Sequence, residues 1–272
     1  MIPHSTVSFP VDTFVTQTLV SPNGRFLFVE AATLLGTPGG NTVNTFRIRS
    51  DGSLTAAPGG PSNSGDNAPV LLGAIANPNY NIVYTGFTSA GQVGVFTYDA
   101  TGRTAFVGAV DGTGGAPCWC TISANGRVLY VADTTSDAVS AFSLADPLHP
   151  VQIQELQLAG PTSNGAGGST NEIAIDPTGK YLYAVTQSTD PSFPQGNQLH
   201  TLMVARDGTL SEPNAPVILS LPEVPANAHP QGLAMVELRG SFFLGDPFSD
   251  DGRDGLRNIL QLSRGREFGD GR

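Results

Sequence analysis

Ser21-Pro22-Asn23-Gly24-Arg25, followed directly by FLFV (26–29), is the stretch on which the fold turns, because it comes back three more times. Asn77-Pro78-Asn79 leads into YNIVY (80–84), Ser123-Ala124-Asn125-Gly126-Arg127 into VLYV (128–131), and Asp176-Pro177-Thr178-Gly179-Lys180 into YLYAV (181–185). Between Pro22, Pro78, Ala124 and Pro177 the steps are 56, 46 and 53 residues. In a type I turn proline suits the second position and glycine the last, and the aromatic and β-branched residues behind it alternate with the period of two that a strand requires. Each copy therefore reads as the tail of one strand, a tight turn and a second strand.

A third strand follows each copy after a polar loop: NTVNTFRIR (41–49), QVGVFTYD (92–99), DAVSAFSLA (137–145) and NQLHTLMVA (197–205). Two of these end in matching hairpin punctuation, Asp51-Gly52-Ser53-Leu54 and Asp207-Gly208-Thr209-Leu210, ahead of a fourth strand. Four antiparallel strands in roughly 45–50 residues is the pattern of a propeller blade. The expected fold is all-β: a β-propeller of four-stranded antiparallel blades, about four complete and others partial, spanning 1–245. A β-sandwich of unrelated hairpins would give the same turn no reason to recur. A further inner strand is expected at HPQGLAMV (229–236), after which the repeat fades. Residues 246–272 alternate Asp, Gly and Arg with little to bury, so an irregular or disordered tail is expected there.

Composition narrows the function classes. Of 272 residues only 13% are charged and 39% are hydrophobic, with 33 glycines and 21 prolines, which suits many short strands joined by turns. The net charge is -10 and the only lysine is Lys180, so no basic stripe exists to release counterions from nucleic acid or to meet an anionic membrane. No apolar run approaches the roughly 20 residues of a membrane span. MIPHSTVSFPVDTF lacks the basic and apolar regions of a signal peptide. A soluble chain is expected, with its compartment, cytoplasmic or exported, left open. Cys118 and Cys120 are one residue apart and point side by side on one face of a strand, so no disulfide is expected.

SPNGRFLFV (21–29), APCWCTISANGRVLYVADTTSDAVSAFSL (116–144), NEIAIDPTGKYLYAV (171–185), RDGTL (206–210) and AHPQGLAMV (228–236) resemble the seven-bladed lactonase-type propellers, which include 6-phosphogluconolactonase and carboxymuconate cyclases. The resemblance runs from about Thr18 to Val236. It implies a ring of seven blades, of which four are clear and a fifth partial, so that self-association is one way to complete it. It implies a lactone or sugar-derived small molecule as ligand, and no cofactor. In the 6-phosphogluconolactonase branch, Pro-His and Arg-His motifs, a Glu and a later Arg gather at the central channel. The matching positions here are Pro117-Cys118, Asn171-Glu172, Gln187 and Gln231. The resemblance thereby places Cys118, Trp119, Asn171, Gln187 and Gln231 as substrate contacts, with residue types that differ from that branch.

The residues themselves can be weighed beside it. Lactone hydrolysis needs a base to activate water and donors for the developing oxyanion. Glu172, read as the start of an inner strand facing the channel mouth, is the candidate base, the alternative being a solvated loop carboxylate. His229, just before Pro230, could act as acid or base near neutral pH, or be an exposed loop histidine. Cys118-Trp119-Cys120 has no neighbouring cation to form a thiolate and no third or fourth ligand for a metal, so it reads as packing, with Trp119 lining a pocket or wedged between blades. His4, His149 and His200 fall on an N-terminal arm or outer strands and receive no role. Glu30, Asp133 and Asp190 could line an acidic mouth or simply be solvated. Arg25, Arg127 and Lys180 all follow the turns, which leaves the channel without a phosphate clamp. Two functions remain: a lactone hydrolase using Glu172 and His229, or a non-catalytic propeller that binds a ligand or a protein.

Overall fold

The middle strands FLFVEAA, IVYTGF, VLYVAD and YLYAVTQS are apolar on both faces, which suits a strand sandwiched between two neighbouring sheets. A computed structural model of the chain describes residues 6–33, 40–65, 68–112, 114–160, 168–188, 194–219 and 230–235. The described residues form four antiparallel sheets arranged as propeller blades, each from one contiguous stretch of chain. Blade 1 is β1 (Phe14–Val20), β2 (Phe26–Ala32), β3 (Thr42–Ile48) and β4 (Leu54–Ala56). Blade 2 is β5 (Leu71–Ala76), β6 (Ile82–Phe87), β7 (Gln92–Tyr98) and β8 (Thr104–Asp111). Blade 3 is β9 (Pro117–Ile122), β10 (Val128–Asp133), β11 (Ala138–Ser143) and β12 (Val151–Gln157). Blade 4 is β13 (Gly168–Ile175), β14 (Tyr181–Ser188), β15 (Gln198–Val204) and β16 (Leu210–Ser211), with a short β17 (Val217–Ile218) also paired to β15.

The inner strands β1, β5, β9 and β13 lie side by side in that order. Three cores fill the gaps between blades. Phe26, Phe28 and Val43 of blade 1 meet Leu71, Val83, Phe87, Phe96 and Tyr98 of blade 2. Ile82, Tyr84, Val93 and Val95 of blade 2 meet Cys120, Leu129, Val131 and Phe142 of blade 3. Tyr130, Ala132 and Val139 of blade 3 meet Ile173, Leu182, Ala184 and Leu202 of blade 4. The period of two is visible within one strand: in β10, Leu129 and Val131 face blade 2 while Tyr130 and Ala132 face blade 4. Burying each such side chain stabilises by about 1.5–3 kcal/mol, and only stacked neighbours allow it.

The repeated turn is held by its first residue. Ser21 Oγ accepts the Phe26 N–H (3.0 Å), Ser123 Oγ the Val128 N–H (2.9 Å), and Asp176 Oδ1 the Lys180 and Tyr181 N–H groups (both 2.8 Å), while Asn77 Oδ1 accepts from Asn79 (2.9 Å). The closing glycines take φ of +70° at Gly24, +69° at Gly126 and +70° at Gly179, a region that favours glycine. Asp176→Ala removes an ionised acceptor serving several donors and is expected to lower stability by about 1–2 kcal/mol, read as a urea midpoint shift at unchanged m.

Two expectations change. Residues 230–235 form no ladder, so the inner strand anticipated at 229–236 is not a paired strand over its described part. Glu30 and Asp133, expected at a mouth or in solvent, lie inside β2 and β10 with exposures of 0% and 2%. The tail 246–272, Asp190 and His229 lie outside the described residues.

Candidate functional site

All four inner strands carry one extra residue against their partner, at the same place. The ladder slips between Val15 and Gln17, Leu72 and Ile75, Pro117 and Cys120, and Thr170 and Glu172. Such bulges re-aim side chains, and four in register define two rows. Five residues ahead of the turn caps Ser21, Asn77, Ser123 and Asp176 stand Thr16, Leu72, Cys118 and Asn171, all half-buried. One residue later stand Gln17, Gly73, Trp119 and Glu172.

In blades 2 and 3 this second row faces the next blade. A Cβ on Gly73 would lie 1.8 Å from the Cys118 carbonyl oxygen, and Trp119 packs against the core between blades 3 and 4. Glu172 is the fifth residue of β13, not its first, and is 9% exposed. Its carboxylate accepts the Leu233 N–H, so it turns toward the 230–235 segment. Burial pushes its pKa up to about 7. Beside it, Gln187 Nε2 donates to the Pro230 carbonyl (3.0 Å) and Asn171 Nδ2 to the Ser169 carbonyl (2.6 Å). Each amide retains a second N–H. Glu172 and Gln187 thus both bond the segment that carries the exposed Gln231, and Asn171 precedes Glu172 in β13.

Cys118 and Trp119 sit on the adjacent inner strand. Cys118 feels both Glu172 and Glu30, but burial is the main reason that its thiol is pushed up. Burial raises Cys120 well above the ordinary thiol value. Both are free thiols whose burial disfavours the thiolate. Among the described residues no cluster of three or more His, Cys, Asp or Glu could hold a metal ion. No helix there is long and apolar enough to cross a membrane.

Several buried polar groups escape a reading by sequence. Glu30 bridges blades 1 and 2: it accepts the Thr85 hydroxyl and the Ala74 N–H (3.3 Å), and burial pushes its pKa up to about 7. Asp133 accepts the Ser140 hydroxyl (2.5 Å), and burial raises it to about 7 as well. His200, placed on an outer strand without a role, is fully buried and paired to Glu212 at 2.8 Å. Its signal, a histidine in the apolar row of NQLHTLMV, has no partner nearby in sequence.

Comparison with known proteins accounts for this scaffold. The family of seven-bladed β-propeller lactonases matches residues 34–193, more than half of the chain. The chain belongs to that family. A search of curated proteins found no match. Among solved structures, the periplasmic gluconolactonase of Pseudomonas aeruginosa is similar with a TM-score of 0.61 and 21% identity, over 74% of this chain and 56% of that one. A candidate 6-phosphogluconolactonase of Bacteroides uniformis is similar with a TM-score of 0.54 and 22% identity, over 72% and 55%. A functionally unknown protein of Desulfotomaculum acetoxidans follows at 0.56 and 17%, over 74% and 55%. At these identities the likeness is one of fold. The chain spans a little over half the length of the structures it matches, as four blades of a seven-bladed ring would.

Proposed function

We propose that the protein hydrolyses a lactone, a carboxylic ester closed into a ring, such as a sugar lactone. One observation carries the reading: in a lactonase-family propeller, Glu172 sits at the inner-strand bulge with a pKa near 7, where a carboxylate can both hold and release a proton at neutral pH. As general base it would take a proton from water as the water oxygen attacks the carbonyl carbon. The ring C–O bond then breaks, the proton passes to the leaving alkoxide, and a hydroxy acid results. The second N–H groups of Asn171 and Gln187 would serve as neutral donors for the oxyanion. His229 is the second candidate for acid and base work, and Cys118, Trp119 and Gln231 are proposed as substrate contacts.

Glu172→Gln is expected to reduce kcat about 10²–10⁴-fold on whichever sugar or muconate lactone the wild type turns over, with no loss of melting temperature. Unchanged rates, or no turnover across the panel, would overturn the reading. A second function is favoured by a specific observation: the Glu172 carboxylate is engaged by the Leu233 N–H, and the family's usual Arg and His positions hold Asn171, Cys118 and Gln231. A non-catalytic propeller that captures a ligand or partner would show binding without turnover.

A further inference from the structure

Blades 2, 3 and 4 each hook the chain that follows them, and all three do so from the same place. Eleven residues after the turn caps Asn77, Ser123 and Asp176 stand Thr88, Thr134 and Gln187. Thr88 Oγ1 donates to the Pro117 carbonyl (2.7 Å) and Thr134 Oγ1 to the Thr170 carbonyl (2.9 Å), each acceptor lying six residues ahead of the next cap. Gln187 Nε2 makes the corresponding bond to the Pro230 carbonyl (3.0 Å). Residues 230–235 are therefore held where a fifth inner strand would begin. Counted on from the hooked residue, Gln231 matches Cys118 and Asn171, and Gly232 matches Trp119 and Glu172. The matching glycine of blade 2, Gly73, also has a positive φ, +79° against +108° at Gly232. One residue further on, the Ala74 N–H donates to Glu30 of blade 1 (3.3 Å) and the Leu233 N–H to Glu172 of blade 4.

What differs is the support. β1, β5, β9 and β13 are each laddered to the second strand of their own blade, whereas 230–235 forms no ladder. Gly73 is closed in by the backbone of blade 3, but a Cβ at Gly232 would meet nothing within 4 Å. Gln231, Gly232, Ala234 and Met235 are exposed. A segment gripped by side chains, without a ladder and with an open outer face, opens locally at far lower cost than a strand inside a sheet. The Glu30 carboxylate, fully buried between two laddered blades, has no such route to water, while Glu172 is bonded by the one inner segment that can move away.

We propose that residues 230–235 are a strap on the Glu172 carboxylate, latched by Gln187, which lifts to let that carboxylate meet water and substrate. This rests on the lactone-hydrolase reading above and adds the regulation of its base. With the strap down, Glu172 is 9% exposed and bonded by the Leu233 N–H. With the strap lifted, that bond is gone and the carboxylate oxygens are open to a water proton. In this role Gln187 is a positioning residue, since it holds the Pro230 carbonyl and acts on Glu172 through the strap.

The test is carboxyl labelling of the full chain at about pH 6 with a water-soluble carbodiimide and glycine ethyl ester, read residue by residue by mass spectrometry. Gln187→Met keeps the side-chain length and removes the latch donor, and Leu233→Pro removes the N–H that meets Glu172. Each is expected to speed labelling of Glu172 about two- to tenfold, as the loss of one neutral hydrogen bond allows, with Glu30 labelling unchanged. Thr88→Val cuts the equivalent hook between blades 2 and 3, where a ladder still carries the strand, and is expected to leave Glu172 at the wild-type rate. Wild-type labelling of Glu172 in either strap variant, or an equal gain in Thr88→Val, would overturn the proposal. Lactone hydrolysis at pH 8 supplies the second arm: Leu233→Pro is expected to raise kcat/KM by a factor similar to the labelling gain, and a fall would show that the strap must stay down for activity. Faster labelling in a protein that turns over no lactone removes the hydrolase reading alone, whereas turnover with unchanged labelling removes the strap alone.

Discussion

Replacing Glu30 with Gln is expected to raise the melting temperature at pH 8 by roughly 5–10 °C and to leave it nearly unchanged at pH 5. Glu30 is wholly buried between blades 1 and 2 and holds its proton up to about pH 7, against about 4.5 when the chain unfolds. Between those values the unfolded state binds fewer protons than the folded one, so stability is fully present below about pH 4.5 and is lost as pH rises toward 7. The displacement corresponds to about 3 kcal/mol. Asp133 and Glu172, also raised to about 7 by burial, add to the slope with the same sign. A glutamine can keep the local bonds: its carbonyl can accept the Ala74 N–H, and its amide can donate to Thr85 Oγ1, whose own proton turns to the Gly86 carbonyl. Paired thermal melts at pH 5 and pH 8 read the effect. A variant that melts lower than wild type at pH 8 would show that the ionised carboxylate stabilises the clasp between blades.

Gly73→Ala is expected to do the greatest damage of any glycine-to-alanine change among the described residues, at more than about 4 kcal/mol. Gly73 occupies the β5 bulge at φ +79°, and its missing Cβ would lie 1.8 Å from the Cys118 carbonyl oxygen and 2.5 Å from Trp119 Cα. Both are backbone atoms, so no rotamer change relieves the overlap and blades 2 and 3 must part. Gly60, at φ +70° with nothing within 4 Å of the place a methyl would take, is the control: its alanine variant carries only the strain of the left-handed conformation, about 1 kcal/mol. Urea unfolding of the two variants checks the contrast, and a Gly73→Ala midpoint equal to that of Gly60→Ala would refute the close approach.

These two residues mark the limit of what the amino-acid string displays. The blade count is legible because the turn is local: Ser21, Asn77, Ser123 and Asp176 each hold their own next few residues, so the signal lies within a short window. The third strands fall within two residues of their expected bounds for the same reason. The bulge leaves no such trace, because its equivalent positions hold Thr16, Leu72, Cys118 and Asn171, residues with nothing chemical in common. Glu172 reads from the sequence as facing a channel mouth, whereas in the structure its carboxylate meets the Leu233 N–H of the 230–235 segment. Glu30 reads as a rim residue because glutamate is rarely buried. Its partners, Thr85 and Ala74, come from another blade, and only the stacked sheets bring them within reach.

Contiguous blades also bear on how the chain is assembled. Each described ladder joins strands of one blade, and the isolated bridge of Val43 to Ser62 stays beside blade 1. Contact order is therefore low for an all-β protein, and the slow search for distant strand partners is avoided. During synthesis a blade has all its backbone partners once its own segment has emerged, and its apolar face waits only for the next one. Folding can then travel from the amino terminus in steps of a single repeat, each new sheet closing the face left open by the one before.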